Sequence, residues 1–571
     1  VSGSLNSTTR VAANPRWILP LFHAEKRDVN ALDRGRHAAV RPGMLAASVA
    51  ITPWIRRKVT SLMETTMTVL RTGWYLPDVV FAVERGSTDL LSSKYRIGQI
   101  PGRRGILYGM YNGIRGTNAE GGTVSTMKAA LAIGVVLSVA LALRGSAAQS
   151  EAPLAFTNVS VVPMDSPRVL ADHTVIVANG RITVVGPAAT TLVPKGAVTI
   201  DGRNKHLMPG LAELHGHIPP PATTPKAFID DMLFLYVANG VTTVRGMQGA
   251  AGQLALREAA GRGDMIAPNL YLAGPAFNGN NVRTAHEAAA RVLEQKSEGW
   301  DLLKIQGALN GDAYHAMARA AREVAIPFAG HVPSAVGVTR ALEMGQSTID
   351  HLDGFAEHLD GVTKPIDESA LQDLVARTKR SGSWVVPTLV VWETLRGPVT
   401  LHSRTTLPEL RYMPPTTVEQ WTKSLEKRLN APEFNQAEAK QYIDNRLRIL
   451  WSLHAAGVGV LLGSDAPQQF NVPGFSIHRE MKRMTDAGMI PYEIIKAGTS
   501  NVGQHFKAHD DFGTIAVGQR ADLILLDGNP LEDLAHIERP GGVMVRGRWL
   551  PRTDIQARLD QVAGRHQSSA E

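Results

Sequence analysis

The chain has 571 residues, 44% of them hydrophobic and 20% charged, which is enough apolar material for a large buried core. Its formal net charge of +8 is unevenly placed: residues 1–126 hold 17 Lys and Arg against 8 Asp and Glu, and the remainder carries −1, which argues against a nucleic-acid-binding face. Zero cysteines exclude disulfides, thiol nucleophiles, thiolate zinc sites and a cysteine-borne lipid anchor, so any metal must be held by His, carboxylate or a less ordinary group.

Residues 1–126 carry Arg-rich and Gly-rich patches such as WIRRKVT and IPGRRGILYGMYNGIRG without a sustained period of a helix or strand. They read as a disordered, non-native upstream extension. From Met127 the chain changes character: Lys128 precedes an apolar run of 15 residues, Ala129 to Leu143, shorter than the ~20 that a spanning helix needs. Ser146-Ala147-Ala148 then supplies the small-x-small pattern of a cleavage site. Residues 127–148 are therefore expected to be a signal peptide, with translation starting at Met127 and a periplasmic or secreted product that keeps no stable membrane anchor. The alternative is a basic cytoplasmic arm followed by an uncleaved anchor, which positive-inside charge would suit.

The expected mature chain, 149–571, has 423 residues and a net charge of −3. LAFTNVSVV and HTVIVANGRITVVG predict strands, with Asn179-Gly180 as a hairpin turn, and GTIAVGQRADLILLD and GGVMVRGRWL predict further strands near the other end. Between them strand-then-helix units repeat, as in GVTTVRG followed by QLALREAAGRG. The prediction is an α/β fold, a (β/α)8 TIM-type barrel over 209–508, with an insertion at about 396–441. Residues 149–208 and 509–571 would form a small composite β-sandwich from both ends of the mature chain, with a C-terminal tail.

Candidate chemistry begins at HLMPGLAELHGH, where His215 and His217 are two apart and face the same side of an extended strand. Neutral imidazole suits zinc and similar divalent ions. Other apolar segments end in Lys304, His331, His351 and Asp465. A barrel of ~250 residues allots ~31 residues to each unit. The separations of 87, 27, 20 and 114 residues between His217, Lys304, His331, His351 and Asp465 place them on strands 1, 4, 5, 6 and 8, with SWVVPTLVVWE as strand 7. Five strand ends then converge on one mouth.

The segments PGLAELHGH, LLKIQG, AGH, IDH and GSDAP, with AGTSNVGQHF and GTIAVGQRADLILLD downstream, closely resemble the amidohydrolase superfamily of metal-dependent hydrolases, and GVTTVRG, VPTLV and IHREMKRMTDAG resemble its imidazolonepropionase-like and Xaa-Pro-dipeptidase-like branch. The resemblance implies two divalent metal ions, zinc foremost, with Lys304 carboxylated by carbon dioxide to an anionic bridge between them. It implies that His215, His217 and Asp465 bind the more buried ion and His331 and His351 the more exposed one. It further implies hydrolysis of an amide bond by a metal-bridging hydroxide, with Asp465 as the catalytic proton carrier. Substrates of that kind are dipeptides such as Xaa-Pro, N-acyl amino acids and cyclic amides. The alternatives are the same metal site acting on esters, carbamates or phosphotriesters, and a non-catalytic scaffold of the same fold. The expected partner is a small molecule and not a nucleic acid, with a homo-oligomer left open. Tyr236, Arg245, His286, Trp392 and His478 fall near inferred loops or strand ends, and a structural role fits each equally well; Arg245 is the candidate partner for a substrate carboxylate.

Overall fold

The computed structural model describes residues 152–567, so the expected upstream extension and signal peptide lie outside the described residues. The described residues open with β1 (Leu154–Val161), β2 (Leu170–Ala178), β3 (Arg181–Pro187), β4 (Val198–Asp201) and β5 (His206–Pro209). Seven short strands follow, interleaved with helices: β6 (Leu211–Gly216), β7 (Val241–Gly246), β8 (Asn269–Leu272), β9 (Leu303–Ile305), β10 (Phe328–Gly330), β11 (Thr348–Asp350) and β12 (Trp384–Val386). The last strands are β13 (Leu523–Leu526), β14 (Gly542–Val545) and β15 (Arg548–Pro551), and a helix over Arg552–Gln567 stands where a tail was expected.

Both ends of the described residues contribute to one eight-stranded sheet, ordered β15-β14-β13-β5-β1-β2-β3 with β4 beside β1. The sheet folds over on itself, because the Phe156 and Trp549 rings, four strands apart in that order, meet with centres 5.2 Å apart. Strand β5 pairs parallel with β1 on one side and antiparallel with β13 on the other, and so stitches the two halves together. The β2–β3 hairpin turns on Asn179-Gly180, where φ of 52° and 73° gives the two left-handed residues that a tight two-residue turn needs.

The central strands pair in parallel as β6-β7-β8 and β9-β10-β11-β12. Bridges join Ala273 to Leu302, carrying the order from β8 to β9, and Val385 to Val460. The Leu214 N–H then donates to the Leu462 carbonyl at 2.9 Å, which brings segment 458–463 back beside β6. The result is a TIM-barrel-like α/β fold. Its interior and the surrounding helices are packed with Leu, Ile, Val, Ala and Met, including Leu211, Val244, Leu303, Ile349, Val385 and Leu462.

The apolar run predicted as strand 7 divides. Only Trp384–Val386 is strand, and Leu389–Arg396 is helix. Pro387 cannot donate to a ladder, Thr388 turns the chain with φ 43°, and the buried Glu480 carboxylate accepts from both the Leu389 and Val390 N–H groups at 2.8 Å. Apolar periodicity alone does not separate a buried strand from a buried helix turn. The insertion is helical as well, with helices at Leu401–Thr405 and Pro415–Leu429 and a further one beginning at Gln436. Among the described residues no helix is long and apolar enough to cross a membrane.

Burial pushes the Glu480 carboxyl up to about 7, against which the two N–H donors act. Between the unfolded value and about 7 the folded chain holds a proton that the unfolded chain releases, so stability falls as pH rises through this window. Glu480→Gln cannot ionise, and its urea midpoint should fall less than that of wild type between pH 4.5 and 7. Parallel pH profiles would show that Glu480 does not titrate there.

Candidate metal centre

His215 and His217 project from the end of β6, in the same direction as Glu213, because alternate residues of a strand share a face. Lys304 lies within β9, His331 directly follows β10, His351 directly follows β11, and Asp465 follows the segment 458–463. Both His351 and Asp465 have φ of 63°, an uncommon backbone state for residues with a Cβ and one that tends to be held at functional sites.

The side chains converge. The His217 Nε2 lies 2.7 Å from Asp465 Oδ1, and the His215 Nε2 lies 3.7 Å from the same oxygen. Ligand atoms of His215, His217 and Asp465 all fall within 4.8 Å of one another, a separation that suits one metal ion. Lys304 Nζ is 3.1 Å from His215 Nε2. The His351 ring centre lies 4.3 Å from that of His215 and 4.4 Å from that of His331, which joins the second pair of histidines to the first.

Protonation is arranged from behind. His215 Nδ1 donates to Asp350 Oδ2 at 2.7 Å, and His331 Nδ1 donates to Asp353 Oδ2 at 2.7 Å, leaving the Nε2 lone pairs free. His351 Nδ1 pairs with the Thr388 hydroxyl at 2.8 Å, while its Nε2 is buried with no hydrogen-bond partner. A buried imidazole nitrogen without a hydrogen-bond partner, beside other ligand-type groups, has the chemistry of a metal ligand. Burial, with Lys304 nearby, holds His215 well below the ordinary histidine value, and burial beside His215 does the same for His351; both rings are neutral, as ligation requires.

Lys304 is fully buried, and burial lowers its amine to about 8. A larger share of free amine is the form that adds to carbon dioxide. His217 and His331, at 27% and 26% side-chain exposure, are the members of the group open to solvent.

Several supporting residues escaped the sequence reading. Glu213, fully buried, accepts from the His215 N–H at 2.9 Å, the Ser464 N–H at 2.8 Å and the Ser464 hydroxyl at 2.5 Å, tying the two segments that carry His215 and Asp465. The strand's period of two points Glu213 inward and was the signal available for it. Gly463 permits this approach, since a Cβ there would lie 2.9 Å from the His215 nitrogen and 2.6 Å from Val386 Cγ1. Asp350 and Asp353 flank His351 in sequence yet serve His215 and His331, which no local pattern reveals.

Arg245 is corrected as a substrate contact. It is fully buried, donates to the Leu214 carbonyl at 2.6 Å and to the Asp350 carboxylate at 3.0 and 3.1 Å, and thereby holds the group that orients His215. Tyr236 is also buried and donates to the Ala466 carbonyl at 3.0 Å. His286 is exposed on the helix Ala285–Glu298. His478 has both ring nitrogens buried without partners, and burial lowers its pKa to about 4; among the described residues it pairs with none of the six candidate ligands. Trp392 does approach the centre, with its ring 6.2 Å from that of His351.

The sequence pattern of the amidohydrolase family matches residues 206–550, which includes all six of these positions. The chain belongs to the amidohydrolase family. It is accordingly a hydrolase acting on carbon–nitrogen bonds. No curated protein sequence matches this one significantly. Among solved structures it is similar to a bottromycin amidohydrolase, at 24% identity and a TM-score of 0.57 over 72% of this chain and 90% of that one. It is similar to a Xaa-Pro dipeptidase with bound methionine in its active site, at 20% identity and a TM-score of 0.53 over 70% of this chain and 100% of that one. It is also similar to molinate hydrolase, at 18% identity and a TM-score of 0.54 over 71% of this chain and 96% of that one. At these identities the likeness is one of fold.

Proposed function

We propose that this chain is an exported, metal-dependent amide hydrolase with a complete (β/α)8 barrel closed through segment 458–463. In this reading His215, His217 and Asp465 would hold one divalent ion, His331 and His351 would hold a second, and Lys304, as its carbamate, would supply anionic oxygen to both. The observation that carries it is the convergence of six ligand-type side chains from five strand ends, one of them His351 with its Nε2 buried and unpartnered. Bound there, divalent ions would acidify water and polarise the carbonyl of the scissile amide. Asp465, with Oδ1 facing His217 and Oδ2 on the side of His351, takes the proton of the attacking water and passes it to the leaving amine. Asp350 and Asp353 keep the His215 and His331 rings in the orientation that directs Nε2 inward. The substrate is a dipeptide such as Xaa-Pro, an N-acyl amino acid or a cyclic amide; a substrate carboxylate must find a partner other than Arg245.

The test is elemental analysis and a hydrolysis screen of the protein purified with metal supplied. Two divalent ions per chain and amine release from at least one of the three substrate classes are expected, with His217→Ala losing both. Fewer than one ion per chain would overturn the two-ion centre.

A further inference from the structure

A cavity of about 410 Å³ lies between the helices Leu389–Arg396, Pro415–Leu429 and Gln436–Ala455, and none of the six candidate ligands lines it. That volume falls within the range of small-molecule sites. Its wall carries three cations, Arg396, Lys427 and Arg428, and among the described residues none of them makes an ion pair. Glu433 and Glu438 also line it, leaving a net charge of +1.

Two of the cations are oriented by aromatic rings. The Arg396 guanidinium sits 4.8 Å over the Tyr442 ring and the Arg428 guanidinium 5.0 Å over the Phe434 ring. Stacking fixes the plane of a guanidinium while leaving its edge N–H groups free, which is the arrangement that grips a carboxylate with two parallel hydrogen bonds. Arg428 spends one donor on the Gly397 carbonyl at 3.1 Å, and its Nε is buried without a partner. Leu395, Phe434 and Tyr442 supply apolar wall beside these donors.

We infer that this cavity is a binding site, separate from the metal centre, for a small monocarboxylate with an apolar body. The carboxylate pairs with Arg396 and Arg428, Lys427 adds long-range attraction, and the body lies against Phe434 and Tyr442. The site adjoins the candidate centre through rings: Tyr442 lies 6.3 Å from Trp392, whose ring lies 6.2 Å from His351.

Calorimetric titration of the full metal-loaded chain with phenylacetate tests this, with phenylacetamide as the uncharged control. Millimolar or tighter binding is expected, weakened at least fivefold by Arg396→Gln, by Arg428→Ala and by the amide, because each removes a charge-assisted hydrogen bond. His217→Ala should bind as wild type does, since the metal centre takes no part. Arg396 is exposed, so its replacement leaves the fold intact even where Arg428→Ala disturbs it. No binding at millimolar phenylacetate, a weakening smaller than fivefold in Arg396→Gln or with the amide, or loss of binding in His217→Ala would each overturn the inference.

Discussion

Lys304→Ala is expected to lower amide hydrolysis by more than about 100-fold, beyond the loss typical of a group that merely supports a ligand. The side chain is fully buried and its Nζ stands 3.1 Å from His215 Nε2, at the meeting point of the candidate ligands. A cationic amine in that place would repel a divalent ion, whereas the carbamate offers anionic oxygen. Formate, acetate or propionate diffusing into the space left by the alanine variant should restore part of the rate and part of the bound metal. Neutral amides of the same size should not. Activity unchanged by the substitution would remove Lys304 from the centre.

Arg245→Met is expected to destabilise the fold by about 3–5 kcal/mol, the range for removing one partner of a buried ion pair. Arg245 and Asp350 are both fully buried and in direct contact, so the variant leaves a buried carboxylate without the guanidinium paired to it. The Thr348 hydroxyl at 2.5 Å from Asp350 Oδ1 and the neutral His215 Nδ1–H at 2.7 Å from Oδ2 remain, and neither carries the charge of a guanidinium. The double variant Arg245→Met/Asp350→Asn should recover much of the stability, because it discards both charges. It should remain poorly active, since His215 Nδ1 then loses the carboxylate that orients it. Urea denaturation of wild type, Arg245→Met, Asp350→Asn and the double variant measures the coupling, and a loss below about 1 kcal/mol in Arg245→Met would show that the pair contributes little.

How much of this was legible in the linear chain depends on which residues decide each feature. The HxH pair, the lysine in LLKIQG, and the histidines and aspartate that end apolar segments were readable because strand periodicity and βα spacing are local properties. The structure brings all six together. The division of SWVVPTLVVWE into strand and helix was not readable, because the helix start is held by Glu480, some 90 residues away in the chain. The same holds for Arg245, which sequence offered as a substrate contact and which the fold turns inward to Asp350 across 105 residues.

By itself the sequence determined the family, through its motifs, and the candidate ligand types with their distribution over five strand ends, since an absence of cysteine restricts those types to His, carboxylate and Lys. Only the tertiary structure decided which carboxylate serves which histidine, that Glu213 binds Ser464 across 251 residues, and that both ends of the described residues contribute to one sheet. Periodicity states which face a side chain occupies. Its partner is chosen by whichever donor the packed barrel brings within about 3 Å, and that distance has no counterpart in sequence separation.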